Sequence, residues 1–331
     1  MSKKAKKIVC LGGGTGTSTA LSGLKKYPIS LSVIVSMFDS GGANKVVRDE
    51  FGLLPVSDLR QCFVALAEEG NGLNTLRDLF MYRFHNGNGI KGMTFGNLFM
   101  VALSDILGSQ RAAIETTGKV LKIKGRVVPV SMTKADLVAV YENGMKIVGE
   151  SLIDEPEHNG KIRIKRVYLE PEAKAYKAAV REIMNADLVV IGPGDLYTSL
   201  IANILVEGIP DAIRKTKAKV VYIMNLMTKY GQTYDFRASD HIEVLEKYLG
   251  RNIDFVLVNS KPLPRSSINK YKKKNEKPVL DDLENDYYKV IRRDLLSEKE
   301  TKKVPGDVLK RSLIRHDSNK LAQEIIKICK L

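Results

Sequence analysis

The sequence predicts an α/β protein: a Rossmann-like, doubly wound, mainly parallel sheet with a helical insertion and a small antiparallel β segment. Three observations carry this expectation. A short apolar run, Lys7 to Leu11, ends in glycines and leads into a helical pattern, and a second run, Leu188 to Ile191, does the same. The stretch 57–118 has helical periodicity almost throughout. Between 119 and 170, short β-rich runs are joined by turns, among them Asn143-Gly144, a strong hairpin signal.

In chain order, Leu21 and Leu24 share a helix face after the first glycines, and the Val- and Ile-rich run Ile29 to Met37 gives a second strand. Ser57 stands where an N-cap belongs, ahead of Leu59, Cys62, Phe63 and Leu66. Helical patterns recur at Leu73 to Phe84 and Phe95 to Leu107. Arg126 to Val130, Leu137 to Tyr141, Lys146 to Gly149 and Ile162 to Leu169 read as strands of the antiparallel segment. Alternation then resumes: helix from Ala173 to Met184, strand from Leu188 to Ile191, helix from Tyr197 to Ile213, strand from Lys219 to Met224, helix from Ala238 to Leu249, and strand from Phe255 to Val258. Residues 261–280, with three prolines and many lysines, read as a solvated loop; Tyr287 to Leu296 and Lys320 to Lys330 read as closing elements. The expected organisation is one domain over 1–331. Its core comes from 1–56 and 171–260, with the insertion at 57–118, the β segment at 119–170 and a basic closing part at 261–331.

With 331 residues, 44% hydrophobic and 27% charged, the chain can bury a sizeable core. Its 3 cysteines have neither metal-cluster nor disulfide-framework spacing, so a reducing compartment is expected. No apolar run approaches the roughly 20 residues of a membrane helix, and the amino terminus lacks a signal-peptide pattern. The formal net charge of +15 concentrates in Lys3 to Lys7, Lys270 to Lys277 and around Lys302 and Lys303. These loop and tail positions lack interleaved aromatics, so the excess reads as solvated surface rather than a nucleic-acid platform.

Four loops carry the chemistry. The first, Gly12-Gly13-Gly14-Thr15-Gly16-Thr17-Ser18, lets backbone approach a phosphate without Cβ atoms, where amide N–H groups and the helix dipole favour an anion. It completes neither the dinucleotide fingerprint nor a Walker A loop. The second, Asp39-Ser40-Gly41-Gly42, follows the second strand, and its carboxylate suits either a ribose hydroxyl or a metal. The third, Gly192-Pro193-Gly194-Asp195-Leu196-Tyr197-Thr198-Ser199, supplies a second glycine turn, with Thr198 and Ser199 as hydroxyl donors or helix caps. The fourth places Asn225 after a strand, to read a base or sugar or to close the turn. Asn97 and Asn203 are weaker candidates; His241 and His316, each beside an aspartate, stand out among the 4 histidines.

With these loops in order, the sequence resembles the gluconeogenesis-factor (YvcK-type) family, related to 2-phospho-L-lactate transferase (CofD-type), over about Ile8 to Ala322. The residues carrying the resemblance are Gly12 to Gly16, Asp39 to Gly42, Gly52-Leu53-Leu54-Pro55 through Asp58 and Arg60, Tyr82-Arg83-Phe84 and Gly96-Asn97-Leu98. Further on they are Gly192 to Gly194, Leu196 to Ser199, Asn225 to Thr228, Asp240-His241 and Arg315-His316-Asp317. The resemblance implies a cytoplasmic protein that binds a UDP-sugar such as UDP-N-acetylglucosamine, or another nucleoside diphosphate, and acts in cell shape and wall metabolism during gluconeogenic growth. A homodimer is expected. The transferase relatives imply an alternative: Mg²⁺-dependent transfer of a phospholactyl or phosphoryl group from a nucleoside-diphosphate donor.

On these grounds the phosphate-binding set is Gly12, Gly13, Gly14, Thr15, Gly16, Thr17, Ser40, Gly41, Gly42, Asn97, Gly192, Pro193, Gly194, Leu196, Thr198, Ser199, Asn225 and Arg315. Asp39 is the candidate catalytic group, and Asp39 with Asp195 the candidate Mg²⁺ ligands. The sequence departs from the family pattern in four places: Ser40 replaces a second aspartate, Ala43-Asn44-Lys45 replaces a serine-rich turn, Met93-Thr94-Phe95 stands before Gly96-Asn97, and Asp195 replaces a serine. A carboxylate at 195 would repel a phosphate unless a cation lay between them.

Overall fold

A computed structural model describes residues 5–70, 73–284, 287–298 and 313–331. Seven strands form one parallel sheet: β1 (Lys7–Gly12), β2 (Ser30–Val35), β3 (Arg126–Pro129), β7 (Leu188–Ile191), β8 (Lys219–Ile223), β9 (Phe255–Asn259) and β10 (Lys289–Arg293). Their order is β10-β9-β8-β7-β1-β2-β3, and every neighbouring pair is parallel. The central strands are almost wholly buried, as expected when helices cover both faces of a parallel sheet.

Helices α1 (Gly14–Leu24), α2 (Gly42–Phe51) and α3 (Ser57–Leu66) follow β1 and β2. The insertion continues with α4 (Leu73–Met81), α5 (Phe95–Ile106) and α6 (Gln110–Val120). Gly52, at φ +66°, ends α2 in the left-handed conformation that glycine adopts without strain. Strands β4 (Asp136–Tyr141), β5 (Lys146–Val148) and β6 (Ile164–Glu170) form the separate antiparallel sheet, ordered β5-β4-β6, and the short α7 (Glu150–Asp154) leaves β5 toward the main sheet. Then follow α8 (Lys177–Met184), a π-helical turn at Leu196–Ile201, α9 (Ala202–Ile204), α10 (Ile209–Lys215), α11 (Ala238–Leu249), α12 (Arg265–Lys272) and α13 (Ser318–Cys329).

The fold class, the hairpin at Asn143-Gly144 and the span of α11 agree with the sequence reading. Four details differ. Arg126 to Pro129 pairs in parallel with β2 and closes the large sheet, its register running from Ser32–Arg126 to Val35–Pro129. Ser57 does not N-cap α3; its hydroxyl donates to Asn44 Oδ1 at 2.9 Å. The helix expected over Tyr197 to Ile213 is broken by the π turn and by Gly208 at φ +96°. The lysine-rich loop contains α12, whose Tyr271 is buried against Leu296 and Ile314. Lys3, Lys4, Lys302 and Lys303 lie outside the described residues. Among the described residues no helix is long and apolar enough to cross a membrane.

Candidate functional site

Strand order decides where the site lies. The chain runs outward from β1 through β2 to β3, then returns to the other side of β1 with β7 and continues outward to β10. The reversal between β1 and β7 leaves a crevice at their carboxyl ends, where open α/β sheets bind ligands. Both glycine turns open there. A cavity of about 940 Å³ is lined by Gly13, Gly14, Thr15, Gly16, Asp39, Gly41, Gly42, Pro193, Gly194, Asp195, Ser199, Asn225 and Arg315.

The turns touch one another. A Cβ on Gly16 would run into the Pro193 carbonyl, and one on Gly13 into the Asp58 carboxylate. Two of the glycines are thus explained by close packing, independently of any ligand. Thr15 donates its hydroxyl to Gln61 Oε1 at 3.2 Å, so α3 is tied to the first turn by a side chain as well.

Several expected ligand residues do not face the cavity. Gly12 points a hydrogen at Thr17, and Thr17 is fully buried with its hydroxyl 3.5 Å from Pro193 O, a loop-to-loop contact. Gly192 lies behind the third turn at φ +85°, and Leu196 is a core side chain, 1% exposed. Thr198 donates to Asp154 Oδ1 at 3.3 Å instead of offering its hydroxyl to a phosphate or capping the helix. Ser40 meets Ser151, whose N–H donates to Ser40 Oγ at 3.1 Å. Asn97 is buried; its Oδ1 accepts from Arg60 Nε at 3.1 Å, and its Nδ2 donates to Ser57 Oγ at 3.0 Å. Asn225 lines the cavity, but its amide donates to Gly194 O at 2.9 Å and braces the third turn. His241 is a core group beside the Tyr222 hydroxyl at 3.2 Å, and Asn203 donates to Ser199 O at 2.8 Å.

Carboxylates dominate the floor. Asp39 accepts from the Gly41 N–H at 2.8 Å and from Asn44 Nδ2 at 2.6 Å. Burial nevertheless pushes its carboxyl upward, against these two bonds. Asp58 is raised to about 7 by burial and then by the Asp39 charge. Glu150, carried in by α7, is held well above the usual carboxylate range by burial, with Asp39 and Asp154 adding to the effect. One cation answers part of this charge: Lys229 Nζ lies 2.9 Å from Asp154 and 3.3 Å from Asp195. Burial opposes the Lys229 charge, but Asp195 and Asp154 outweigh it and raise the group. Asp195 still moves upward, because its own desolvation exceeds the pull of a lysine that it shares with Asp154.

The two carboxylates expected to hold Mg²⁺ have different surroundings. Asp195 belongs to a lysine bridge, whereas Asp58 and Glu150 are the carboxyls electrostatically joined to Asp39. Among the described residues no three His, Cys, Asp or Glu side chains are arranged to hold a metal by themselves. A Mg²⁺ ion here would take its remaining ligands from phosphate oxygens and water, the usual composition of a Mg²⁺–nucleotide site.

The sequence reading missed Glu150, Asp154, Lys229 and Asn44, and took Asp58 only as a family signature. The first three lie on α7 and on the loop after β8, with no local motif to mark them. Asn44 closes the second glycine loop and was given no role, yet it is the hub of this corner: its Oδ1 also accepts the Val56 and Ser57 N–H groups, each at 3.1 Å.

Comparison with known proteins fits this architecture. Residues 8–296 match the family model described as 2-phospho-L-lactate transferase CofD. The gluconeogenesis factor of Bacillus subtilis (strain 168) is 36% identical over 329 residues, covering 98% of this chain and 98% of that protein. The chain belongs to this family. The Listeria innocua gluconeogenesis factor is 37% identical over 330 residues, covering 98% and 97% of the two chains. A crystal structure of a Bacillus halodurans protein superposes with a TM-score of 0.88 at 35% identity, over 98% of this chain and 100% of that one. A second structure from that organism, described as a member of the UPF0052 family, gives 0.87 at 34% identity, again over 98% and 100%. The family assignment thus rests on nearly the whole length, including the insertion and the antiparallel sheet.

Proposed function

We propose that this gluconeogenesis-factor family member binds a nucleotide sugar, such as UDP-N-acetylglucosamine, through its diphosphate at the β1–β7 crevice, and acts as a cytoplasmic regulator of cell shape and wall metabolism. The observation that supports the reading is the meeting of two glycine turns at a topological switch point over one cavity. At about 940 Å³ the cavity has the size of sites that enclose ligands of this class. The exposed backbone of Gly42 and Gly194 would face the diphosphate, with Arg315 as a cationic partner. Since the floor is acidic, we infer that Mg²⁺ accompanies the diphosphate, with Asp39 and Asp58 as its protein ligands and Asp195 kept in place by Lys229. A homodimer remains part of this reading.

The second reading is a Mg²⁺-dependent phospholactyl or phosphoryl transferase using a nucleoside-diphosphate donor. The gathering of Asp39, Asp58 and Glu150 at one cavity favours it, because a Mg²⁺ ion held there would supply the positioning and charge neutralisation that such chemistry needs more than a nucleophile. In that case Asp39 would orient the acceptor hydroxyl or hold the metal.

Calorimetric titration with UDP-N-acetylglucosamine, with and without Mg²⁺, tests the main reading. Binding that tightens at least tenfold with Mg²⁺ is expected. No heat at millimolar ligand in either condition overturns it. Release of a nucleoside monophosphate on incubation with a donor would favour the transferase reading instead.

A further inference from the structure

The charges lining the cavity are unevenly distributed. The sheet-end loops and α7 bring the carboxylates Asp39, Glu150, Asp154 and Asp195, with Lys229 bridging the last two. The connection between α4 and α5, which belongs to the helical insertion, brings Phe84 and Met93 together with three titratable side chains, all basic: Arg83, His85 and Lys91. Helix α3 divides the two. Its Asp58 leans on Gly13 of the first turn, whereas Arg60, two residues on, extends away from that turn. The Arg60 Nε donates to Asn97, its Nη1 lies 2.9 Å from Met81 Sδ, and its Cδ packs under Gly96.

The connection that presents these charges is a pinned ribbon. Phe84 N–H donates to Met93 O at 2.9 Å and Gly92 N–H to Phe84 O at 2.8 Å. Phe95 N–H donates to Tyr82 O at 2.9 Å, and Arg83 Nη1 donates to Gly92 O at 2.5 Å. Arg83 and Lys91 therefore sit near the two ends of a closed loop, on the cavity wall. A diphosphate with its cation at the floor leaves this wall facing whatever lies farther along the ligand. Positive charge fixed on one wall favours an anion there, in both affinity and orientation.

We propose that the insertion wall is a second anion subsite, in which Arg83 and Lys91 hold a carboxylate or phosphate separate from the diphosphate. This rests on the nucleotide-sugar reading above. The second anion has two sources with the same chemistry: an acidic group on the sugar, or a separate small anion bound beside a neutral nucleotide sugar. Either way, the insertion sets ligand specificity while the sheet-end loops take the part common to all such ligands.

A matched titration tests this. UDP-glucose and UDP-glucuronate differ only in a carboxylate on the sugar. With Mg²⁺ present, the unaltered protein should prefer UDP-glucuronate about tenfold if the sugar carries the anion. If the anion is separate, the two should bind alike, and inorganic phosphate should give its own saturable heat on protein already filled with UDP-glucose. In the double variant Arg83→Gln/Lys91→Gln, whichever signal appears should be lost; discrimination between ligands, rather than affinity for one, is the readout. Equal binding of the two sugars with no phosphate heat overturns the subsite and leaves the nucleotide-sugar reading intact. A preference or phosphate heat that survives in the double variant also overturns it. No binding of either sugar overturns the nucleotide-sugar reading and the subsite with it.

Discussion

The first and third glycine turns look alike in sequence and differ in how their glycines are used. In the first, Gly12, Gly13 and Gly16 are each pressed against a specific neighbour: Thr17, the Asp58 carboxylate and the Pro193 carbonyl. In the third, a Cβ on Gly194 would meet the Leu200 and Ser199 side chains at 3.1 Å and 3.3 Å, tight but without the sub-3 Å backbone clash of Gly16, and its carbonyl is braced by Asn225. The first turn is thus a packing joint that also lines the cavity, and the third is the looser wall seated against it. Counting glycines therefore overstates how much of a loop meets a ligand. What remains for a ligand is the backbone that packing and the carboxylates leave to the cavity, at Gly42 and Gly194, since the N–H groups of Gly14 and Gly41 are taken by Asp58 and Asp39.

The sharpest way to break this comparison is Gly16→Ala. The added Cβ would meet backbone atoms of Pro193, which cannot rotate away, so the two turns must separate. Overpacking of this kind costs about 3 kcal/mol. Thermal denaturation should show a clear fall in Tm, with ligand affinity lost alongside. Gly42→Ala is the control: nothing lies within 4 Å of its Cβ, and only φ +48° opposes it, a cost of about 1 kcal/mol. Equal losses in the two variants would mean that the turns do not bear on each other.

The same contrast explains what the sequence made legible. Strand and helix periodicity, together with two glycine turns, located the sheet, the crevice and the insertion. It could not say which side of a turn faces the cavity, because Thr17, Thr198 and Ser40 satisfy their hydroxyls on protein partners instead of facing the cavity. Nor could it assign Arg126 to Pro129 to the large sheet: a short apolar strand reads alike in either sheet, and only the long-range pairing with β2 decides. Asp154 and Lys229 are 75 residues apart in sequence yet joined by a hydrogen bond, a juxtaposition no local pattern carries.

A second, smaller effect sharpens the contrast at Asp58, the carboxyl that fills the space Gly13 leaves. Its folded pKa of about 7 exceeds the roughly 4 of an unfolded aspartate. Between those values the folded chain keeps a proton that the unfolded chain has lost, so this group's contribution to stability falls as pH rises from about 4 to about 7. The raised Asp39 and Glu150 act in the same direction. His241 and His316, both depressed to about 4 by burial, act in the opposite one, since the unfolded chain takes up their protons first as pH falls. A total profile mixes these, but Asp58→Asn isolates one carboxyl. The variant should exceed the parent in stability by about 2 kcal/mol at pH 7.5, allowing for water at the cavity wall, and the gap should close only as pH falls to about 4. Chemical denaturation at the two pH values measures it; a gap independent of pH would show that Asp58 is ionised throughout.

The smallest expected effect separates packing from ligation in the first turn itself. Thr17 is fully buried, and its hydroxyl lies 3.5 Å from the Pro193 carbonyl, a long contact. Thr17→Val keeps the shape and removes the hydroxyl. Because the bond is long, its net worth is about 0.5 kcal/mol, and the carbonyl left behind loses little. Nucleotide-sugar affinity should stay within about twofold of the parent, since that shift corresponds to well under 1 kcal/mol. A phosphate-binding hydroxyl would give the reverse pattern, with stability intact and affinity down tenfold or more. Calorimetry and denaturation on this one variant therefore decide whether the threonine faces the other turn or the ligand.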